Sequence, residues 1–184
     1  MAHTPKMFRL EIGNLTSPKF FEELVGLERA TFRKNDSWAD GELEQMAKKR
    51  NCIIAAARLE DNNKLCGYVL CTSTGLNLHV SKIAVRADCR RQGIARSLMQ
   101  AVLRTAANQR RSSSSTLHVA LDNEPAVQLY RSLGYKEDGL LEDYYTPGRH
   151  AYKMICDLEP YKGAAEDSPP PLQAACTTTT GRKR

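Results

Sequence analysis

Arg90-Arg91-Gln92-Gly93-Ile94-Ala95 is the stretch whose residue types and placement could hold an anion. It lies between a short apolar run, Ile83-Ala84-Val85, and a segment with Ile94, Leu98 and Val102, and with Ala95, Met99, Leu103 and Ala106, at helical spacing. A strand that turns directly into a helix leaves the amide N–H groups of the first helical turn without partners, and these attract a phosphate. Gly93, with no Cβ, lets such a group approach the backbone. The same residues also suit a plain strand–helix turn bordered by solvated arginines. Neither the Lys-Ser/Thr pair of a P-loop nor the three-glycine dinucleotide fingerprint is present.

The elements that would position this loop follow from spacing. Met7 to Ile12 alternates apolar and polar residues and predicts a first strand. Thr16-Ser17-Pro18 supplies a capping hydroxyl followed by proline, and Phe20, Leu24, Leu27 and Phe32 form a helical stripe behind it. The polar stretch 33–38 predicts a loop, after which Asp40 can cap a helix over 41–50 with Leu43 and Met46 facing inward. Cys52 to Leu59 and Leu65 to Thr72 read as a hairpin turning at Asp61-Asn62-Asn63, and Leu78 to Val85 as the strand that feeds the anion loop. The serine-rich stretch 110–115 predicts a flexible connector. Thr116 to Leu121 is an alternating strand, with His118 opposite Leu117, Val119 and Leu121. Asp122-Asn123-Glu124-Pro125 opens a short helix over 126–133 that stops at Gly134, and two strands, 135–145 and 150–158, turn at Thr146-Pro147-Gly148. There is no internal repeat.

Composition sets the outer bounds. At 184 residues, with 41% hydrophobic content and a mean hydropathy of -0.49, the chain has the material for one globular core. We expect a domain over 1–161 and a disordered Pro/Thr-rich tail with a basic C-terminus over 162–184. No apolar run approaches the roughly 18 residues of a membrane span, and no apolar signal core follows Met1, so a cytoplasmic protein is expected, with a nuclear location open. The formal charge of +6 could suit a nucleic acid, but apart from Lys48-Lys49-Arg50, Arg110-Arg111 and Arg182-Lys183-Arg184 the basic residues are scattered, and a phosphate-rich small ligand uses positive charge equally well, so a nucleic-acid partner is not expected. The six cysteines contain no C-x-x-C pair and read as small buried hydrophobes rather than metal ligands or disulfides. No metal is expected.

Arg90-x-x-Gly93-x-Ala95 after a strand ending Ile-Ala-Val resembles the acetyl-CoA pyrophosphate loop of the GCN5-related N-acetyltransferase (GNAT) superfamily. The order strand, two helices, three strands, helix, strand, helix, two strands agrees with that superfamily over residues 7–158. Within it the chain is most similar to the protein N-terminal (α-amino) acetyltransferases. Four segments carry that likeness: His79-Val80-Ser81-Lys82-Ile83-Ala84-Val85 running into the loop; Leu117-His118-Val119 with Asn123-Glu124-Pro125-Ala126-Val127-Gln128-Leu129-Tyr130; Leu133-Gly134-Tyr135; and Asp143-Tyr144-Tyr145 with Ala151-Tyr152-Lys153-Met154. The resemblance implies an α/β (α+β) GNAT fold, a mixed sheet of about seven strands flanked by four helices. It also implies acetyl-CoA as acyl donor and protein or peptide N-termini as acceptors, with an auxiliary or ribosome-associated subunit as a further possible partner.

Carried over residue by residue, the resemblance has Arg90, Arg91, Gln92, Gly93, Ile94, Ala95 and Arg96 wrapping the pyrophosphate. The backbone of Ile83, Ala84 and Val85 would lie along the acetyl-pantetheine arm, in the manner of an added strand. Asn123 would bond the arm, although it also suits a plain helix N-cap, and Tyr130 would face the thioester sulfur or merely fill core space. Glu28, Phe32, Asp36 and Trp38 are candidates for the pocket of the first acceptor residue, with Tyr144 and Tyr145 over the peptide. An α-amine, with a pKa near 7.7 to 8.0 against about 10.4 for lysine, needs only modest help to lose its proton. His79 and His118 titrate in the range required, directly or through a water. A lysine or small-amine acceptor, and a non-catalytic CoA-binding scaffold, are the competing readings.

Overall fold

The computed structural model of the chain describes residues 6–13, 15, 17–32, 36–38 and 41–163. Its elements are β1 (Phe8–Ile12), α1 (Pro18–Thr31), α2 (Glu42–Ala47), β2 (Cys52–Leu59), β3 (Leu65–Thr74), β4 (Asn77–Val85), α3 (Ile94–Gln109), β5 (Ser114–Ala120), α4 (Glu124–Ser132), β6 (Lys136–Thr146) and β7 (Arg149–Asp157). This is the order expected from the sequence. The anticipated cap Asp40, loop residues 33–35 and the expected tail beyond Gly163 lie outside the described residues.

The strands form one seven-stranded sheet in the order β1-β2-β3-β4-β5-β7-β6. Every neighbouring pair is antiparallel except β4 with β5. A parallel pair requires a crossover, and α3 supplies it. On one face α3 buries Ile94, Leu98, Met99, Val102 and Leu103, and α4 adds Val127 and Tyr130 to the same cluster. On the other face Phe20, Phe21, Leu24 and Leu27 of α1, with Leu43 of α2, pack on Ile54, Tyr68 and Leu70. Helices on both faces explain why β2 and β3 read as near-continuous apolar runs. α3 sits so close to the sheet that a Cβ on Gly67 would lie 3.1 Å from the Ala84 carbonyl oxygen and 3.1 Å from Ile94 Cγ2.

Two features of β4 shape the site. Leu70 faces Lys82 while Cys71 faces Val80, so Ser81 is an extra residue, a β-bulge. The alternation switches there. Leu78 and Val80 lie on the α3 face before the bulge and Ile83 and Val85 after it, while Ala84 turns toward α1. The parallel pairing with β5 runs only from Asn77↔Ser114 to Val80↔Leu117. Beyond Val80 the strands part, and among the described residues no strand lies beside 81–85 on that edge.

One expectation is corrected. The serine-rich stretch is not a flexible connector, because β5 begins at Ser114, and Ser112 and Ser115 are fully buried. Ser115 Oγ and the Tyr135 hydroxyl share a 2.6 Å hydrogen bond. Composition reads small hydroxyl residues as linker, whereas a buried hydroxyl with a partner is stable inside.

Candidate active site

A cavity of about 310 Å³ occupies the fork between β4 and β5. His79, Lys82 and Ile83 line it from β4, Leu117 and His118 from β5, Asn123 and Tyr130 from the start and body of α4, Tyr144, Tyr145 and Arg149 from the β6–β7 hairpin, and Phe32 and Asp36 from the segment after α1. The parallel register sets His79 beside Thr116, so His118, two residues further on, projects from the same face. The two imidazoles lie 5.2 Å apart, edge to face. His79 Nδ1 is 3.1 Å from Thr116 Oγ1, and His118 Nδ1 is 2.8 Å from the Tyr144 hydroxyl. Burial lowers the pKa of His79, with His118 adding to the effect; burial lowers that of His118, with Lys153 adding to it. Both rings are thereby held neutral near pH 7, the state in which imidazole accepts a proton.

Tyr130 reaches the cavity from α4 and is 6% exposed. Its pKa is raised by burial first and by the nearby Tyr145 and Cys71 next, so the phenol keeps its hydrogen and can give it to a developing anion. Asn123 stands at the N-cap position of α4, yet its side chain makes no capping bond; its backbone carbonyl accepts from Ala126 and Val127 instead. The amide is exposed beside the cavity, which favours its reading as a ligand group over that of a cap.

Above the histidines, Tyr144 and Tyr145 stack edge to face at 4.9 Å, and the Arg149 guanidinium lies 4.5 Å over the Tyr145 ring. Arg149 Nη1 donates to both carboxylate oxygens of Asp36, at 2.9 and 2.8 Å. Below, the bulge at Ser81 puts Lys82 on the same side as His79. The Lys82 ammonium lies 4.3 Å from the Phe32 ring centre and 5.5 Å from that of Trp38, donates to the Asp36 carbonyl, and pairs with Glu28 at 3.4 Å. Glu28 is 2% exposed and also accepts from the Tyr68 hydroxyl and from Ser37 Oγ. A buried carboxylate with three such partners is a structural anchor.

At the other end of the fork, Ser97 is the first helical donor of α3, bonding the Gly93 carbonyl at 3.0 Å, so the amides of Ile94, Ala95 and Arg96 have no intrahelical acceptor. Gly93 has φ +80° and Arg91 φ +63°, left-handed turns that bend the backbone into a concave row of N–H groups. Arg90 Nε donates to the Val85 carbonyl at 3.2 Å, and Arg96 Nη2 to Ser132 Oγ at 2.8 Å. Gln92 Oε1 accepts from the Lys6 amide at 3.1 Å, while Gln92 Nε2 is buried and has no partner among the described residues. An orphaned donor, free helix amides and open space where Gly93 would carry a Cβ fit a diphosphate. The unpaired edge 81–85 fits an extended amide-bearing arm running from that loop toward the histidines.

The fold therefore gathers His79, His118, Tyr130, Asn123, Ile83, Phe32, Asp36, Tyr144 and Tyr145 around one cavity. Glu28 and Trp38 line a neighbouring cavity of about 520 Å³ between α1 and α2, and both contact Lys82, which lines the first. Ala84 is buried under α1 and has only its backbone to offer, and Val85 packs beside the core. Lys82, Arg149, Thr116 and Asn77 were not singled out from sequence. Only Lys82 carried a local signal, a charge within an apolar strand.

The acetyltransferase (GNAT) family profile matches residues 17–135. An N-alpha-acetyltransferase of Sulfurisphaera tokodaii is 39% identical over 80 residues, 44% of this chain and 48% of that protein. N-alpha-acetyltransferase 30 of Schizosaccharomyces pombe is 33% identical over 100 residues, 52% of this chain and 66% of that protein. At the first of these, this chain spans about half the length of the curated relative it matches. The ribosomal-protein-S18-alanine N-acetyltransferase of Escherichia coli superposes with a TM-score of 0.72 at 20% identity, covering 87% of this chain and 99% of that one, a likeness of fold. The seven-stranded sheet forked between β4 and β5, the anion loop at the head of α3 and the family match together place the chain in the acetyltransferase (GNAT) family.

Proposed function

We propose that the chain is an acetyl-CoA-dependent N-acetyltransferase that transfers acetyl directly to the α-amino group of protein or peptide N-termini. The observation that carries this reading is the pair of neutral-held imidazoles, 5.2 Å apart on the strand fork, lining one cavity with Tyr130. Histidine is matched to an amine of pKa 7.7 to 8.0 and poorly matched to one near 10.4. The names of the curated relatives support an α-amino acceptor. The Asp36–Arg149 bridge and the Tyr144–Tyr145 pair shape a cleft that suits an extended chain end.

Direct transfer is supported by the cysteines. Burial pushes the thiols of Cys52 and Cys66 up to about 11 and that of Cys156 up to about 12, and raises those of Cys71 and Cys89. A thiol kept protonated is a poor nucleophile, and none of these five lines the histidine cavity. Transfer then runs from donor to acceptor without an acyl-enzyme. In the acyl donor site the loop 90–96 would hold the diphosphate and the edge 81–85 the arm, setting the thioester near Tyr130.

Labelled acetyl-CoA offered to two peptide pools tests the reading. One pool has free α-amines and blocked lysines, the other blocked α-amines and free lysines. Label confined to the first pool is the expected result. Label confined to the second moves the acceptor to lysine, and binding of acetyl-CoA without transfer to either overturns the α-amino reading in favour of a small amine or a scaffold role.

A further inference from the structure

The two histidines are held differently, and the difference decides where their hydrogens sit. Thr116 Oγ1, 3.1 Å from His79 Nδ1, also receives a hydrogen from Asn77 Nδ2 at 3.0 Å. Asn77 Oδ1 in turn accepts from Ser114 Oγ at 3.1 Å. The parallel register enforces this line, since Asn77 faces Ser114 and His79 faces Thr116. With the amide of Asn77 so oriented, one lone pair of the Thr116 oxygen is occupied and its own hydrogen has His79 Nδ1 as acceptor. A neutral imidazole whose Nδ1 accepts carries its hydrogen on Nε2.

Among the described residues no such line stands behind His118. Its Nδ1 meets the Tyr144 hydroxyl at 2.8 Å, and Tyr144 is 47% exposed, so the phenol hydrogen can go to water while the phenol oxygen accepts from Nδ1–H. In that arrangement Nε2 of His118 carries a bare lone pair.

We infer that Asn77 and Thr116 are positioning residues that hold His79 as an Nε2–H donor, which leaves His118 as the group that takes the proton. The inference rests on acetyl transfer at this cavity and not on which amine is the acceptor. The amine nitrogen bonds to the acetyl carbonyl carbon, and the C–S bond breaks with its electron pair going to sulfur. The proton lost by nitrogen passes to His118 Nε2, directly or through one water whose oxygen accepts from His79 Nε2–H. Tyr130 protonates the thiolate and is reprotonated from His118 through solvent, so both groups end as they began. The titratable and charged groups facing the two rings are Lys82 on β4, Lys153 and Arg149 on β7, Tyr144 and Tyr145 on β6, Asp36 from the segment after α1, and Tyr130 on α4.

The test joins a spectrum to kinetics on the full-length chain. Long-range 1H–15N correlations of the labelled protein are expected to show His79 with a bare Nδ1 and a protonated Nε2. T116S keeps that pattern, and T116V, equal in shape but without the hydroxyl, lets the ring populate both tautomers. With acetyl-CoA and a peptide pool that turns over, H118Q lowers kcat about a hundredfold or more and removes the acid limb of the pH profile. H79Q presents an amide N–H near the position of the imidazole Nε2–H; it lowers kcat less than tenfold and keeps the limb. A protonated Nδ1 on His79, as a reversed Asn77 amide would give, overturns the assignment, and so does an acid limb lost in H79Q and kept in H118Q. Absence of transfer to any peptide overturns the acceptor reading instead, and the ring spectra still decide the tautomer.

Discussion

Asp36 and Arg149, separated by 113 positions in sequence, are joined by a 2.8 Å ion pair that closes one side of the cavity. Arg149 is at once stacked on Tyr145, so one guanidinium fixes the segment after α1, the β6–β7 hairpin and an aromatic wall. D36N and R149A are each expected to raise KM for the peptide about tenfold, with a smaller change in kcat, because they loosen the cleft and leave the histidines in place. A double-mutant cycle should return a coupling of about 1 kcal/mol, modest because the pair is partly exposed. Additive effects in that cycle would remove the bridge from the binding account.

The lowered histidine pKa values fix the sign of two pH effects. Both arise from burial first, with His118 acting on His79 and Lys153 on His118. The base is active when neutral, so kcat should be flat through neutrality and fall about tenfold per pH unit below a midpoint under the ordinary value of about 6.5. Stability moves the same way. On acidification the unfolded chain takes up protons first, so stability is fully present above about pH 6.5 and is lost as pH falls through the folded pKa. Urea midpoints across this range check it, and a midpoint that rises on acidification would contradict the burial account.

Gly67 and Gly93 set the turn at the head of α3 in different ways. A Cβ on Gly67 would press on the Ala84 carbonyl, Ile94 Cγ2 and Leu98 Cδ1 at 3.1 to 3.2 Å, so G67A should cost about 1–3 kcal/mol of stability and lift the first turn of α3. G93A meets no atom within 4 Å, but φ of +80° is strained for any residue with a Cβ, by about 1 kcal/mol. It should raise KM for acetyl-CoA several-fold while lowering the melting temperature by only about 2–4 °C. Calorimetry and initial rates separate the two.

Ser115 and Tyr135 satisfy each other inside the core, where burial raises the pKa of the Tyr135 phenol. S115A should destabilise the fold by about 1–3 kcal/mol, since it strands a buried hydroxyl. The double variant S115A/Y135F removes both partners and should recover most of that loss. No recovery would mean that packing, and not the hydrogen bond, holds Ser115 in place.

The extent to which the chain could be read in advance follows the range of the interactions. The turn at 90–93, the helix behind it and the strand before it were legible because apolar periodicity at i, i+4 and a glycine between strand and helix are local properties of residues 83–106. His79, His118, Tyr130 and Asn123 were named through family resemblance, and the structure brings them around one cavity. The serine stretch misled because composition carries no register, and Ser115 becomes a core residue only when β5 lies between β4 and β7.

What sequence alone determined is the set of elements, their order and the chemical types at the fork. Tertiary structure decided the rest. The bulge at Ser81 turned Lys82 and Ala84 to the opposite face, parting β4 from β5 opened the cavity, and the β4–β5 register brought Asn77 and Thr116 behind His79. Glu28 and Trp38, close in sequence to Phe32 and Asp36, went instead to the next cavity. Each of these outcomes depends on which residues of distant strands stand opposite one another, and a one-residue shift in that pairing sends a side chain to the other face of the sheet.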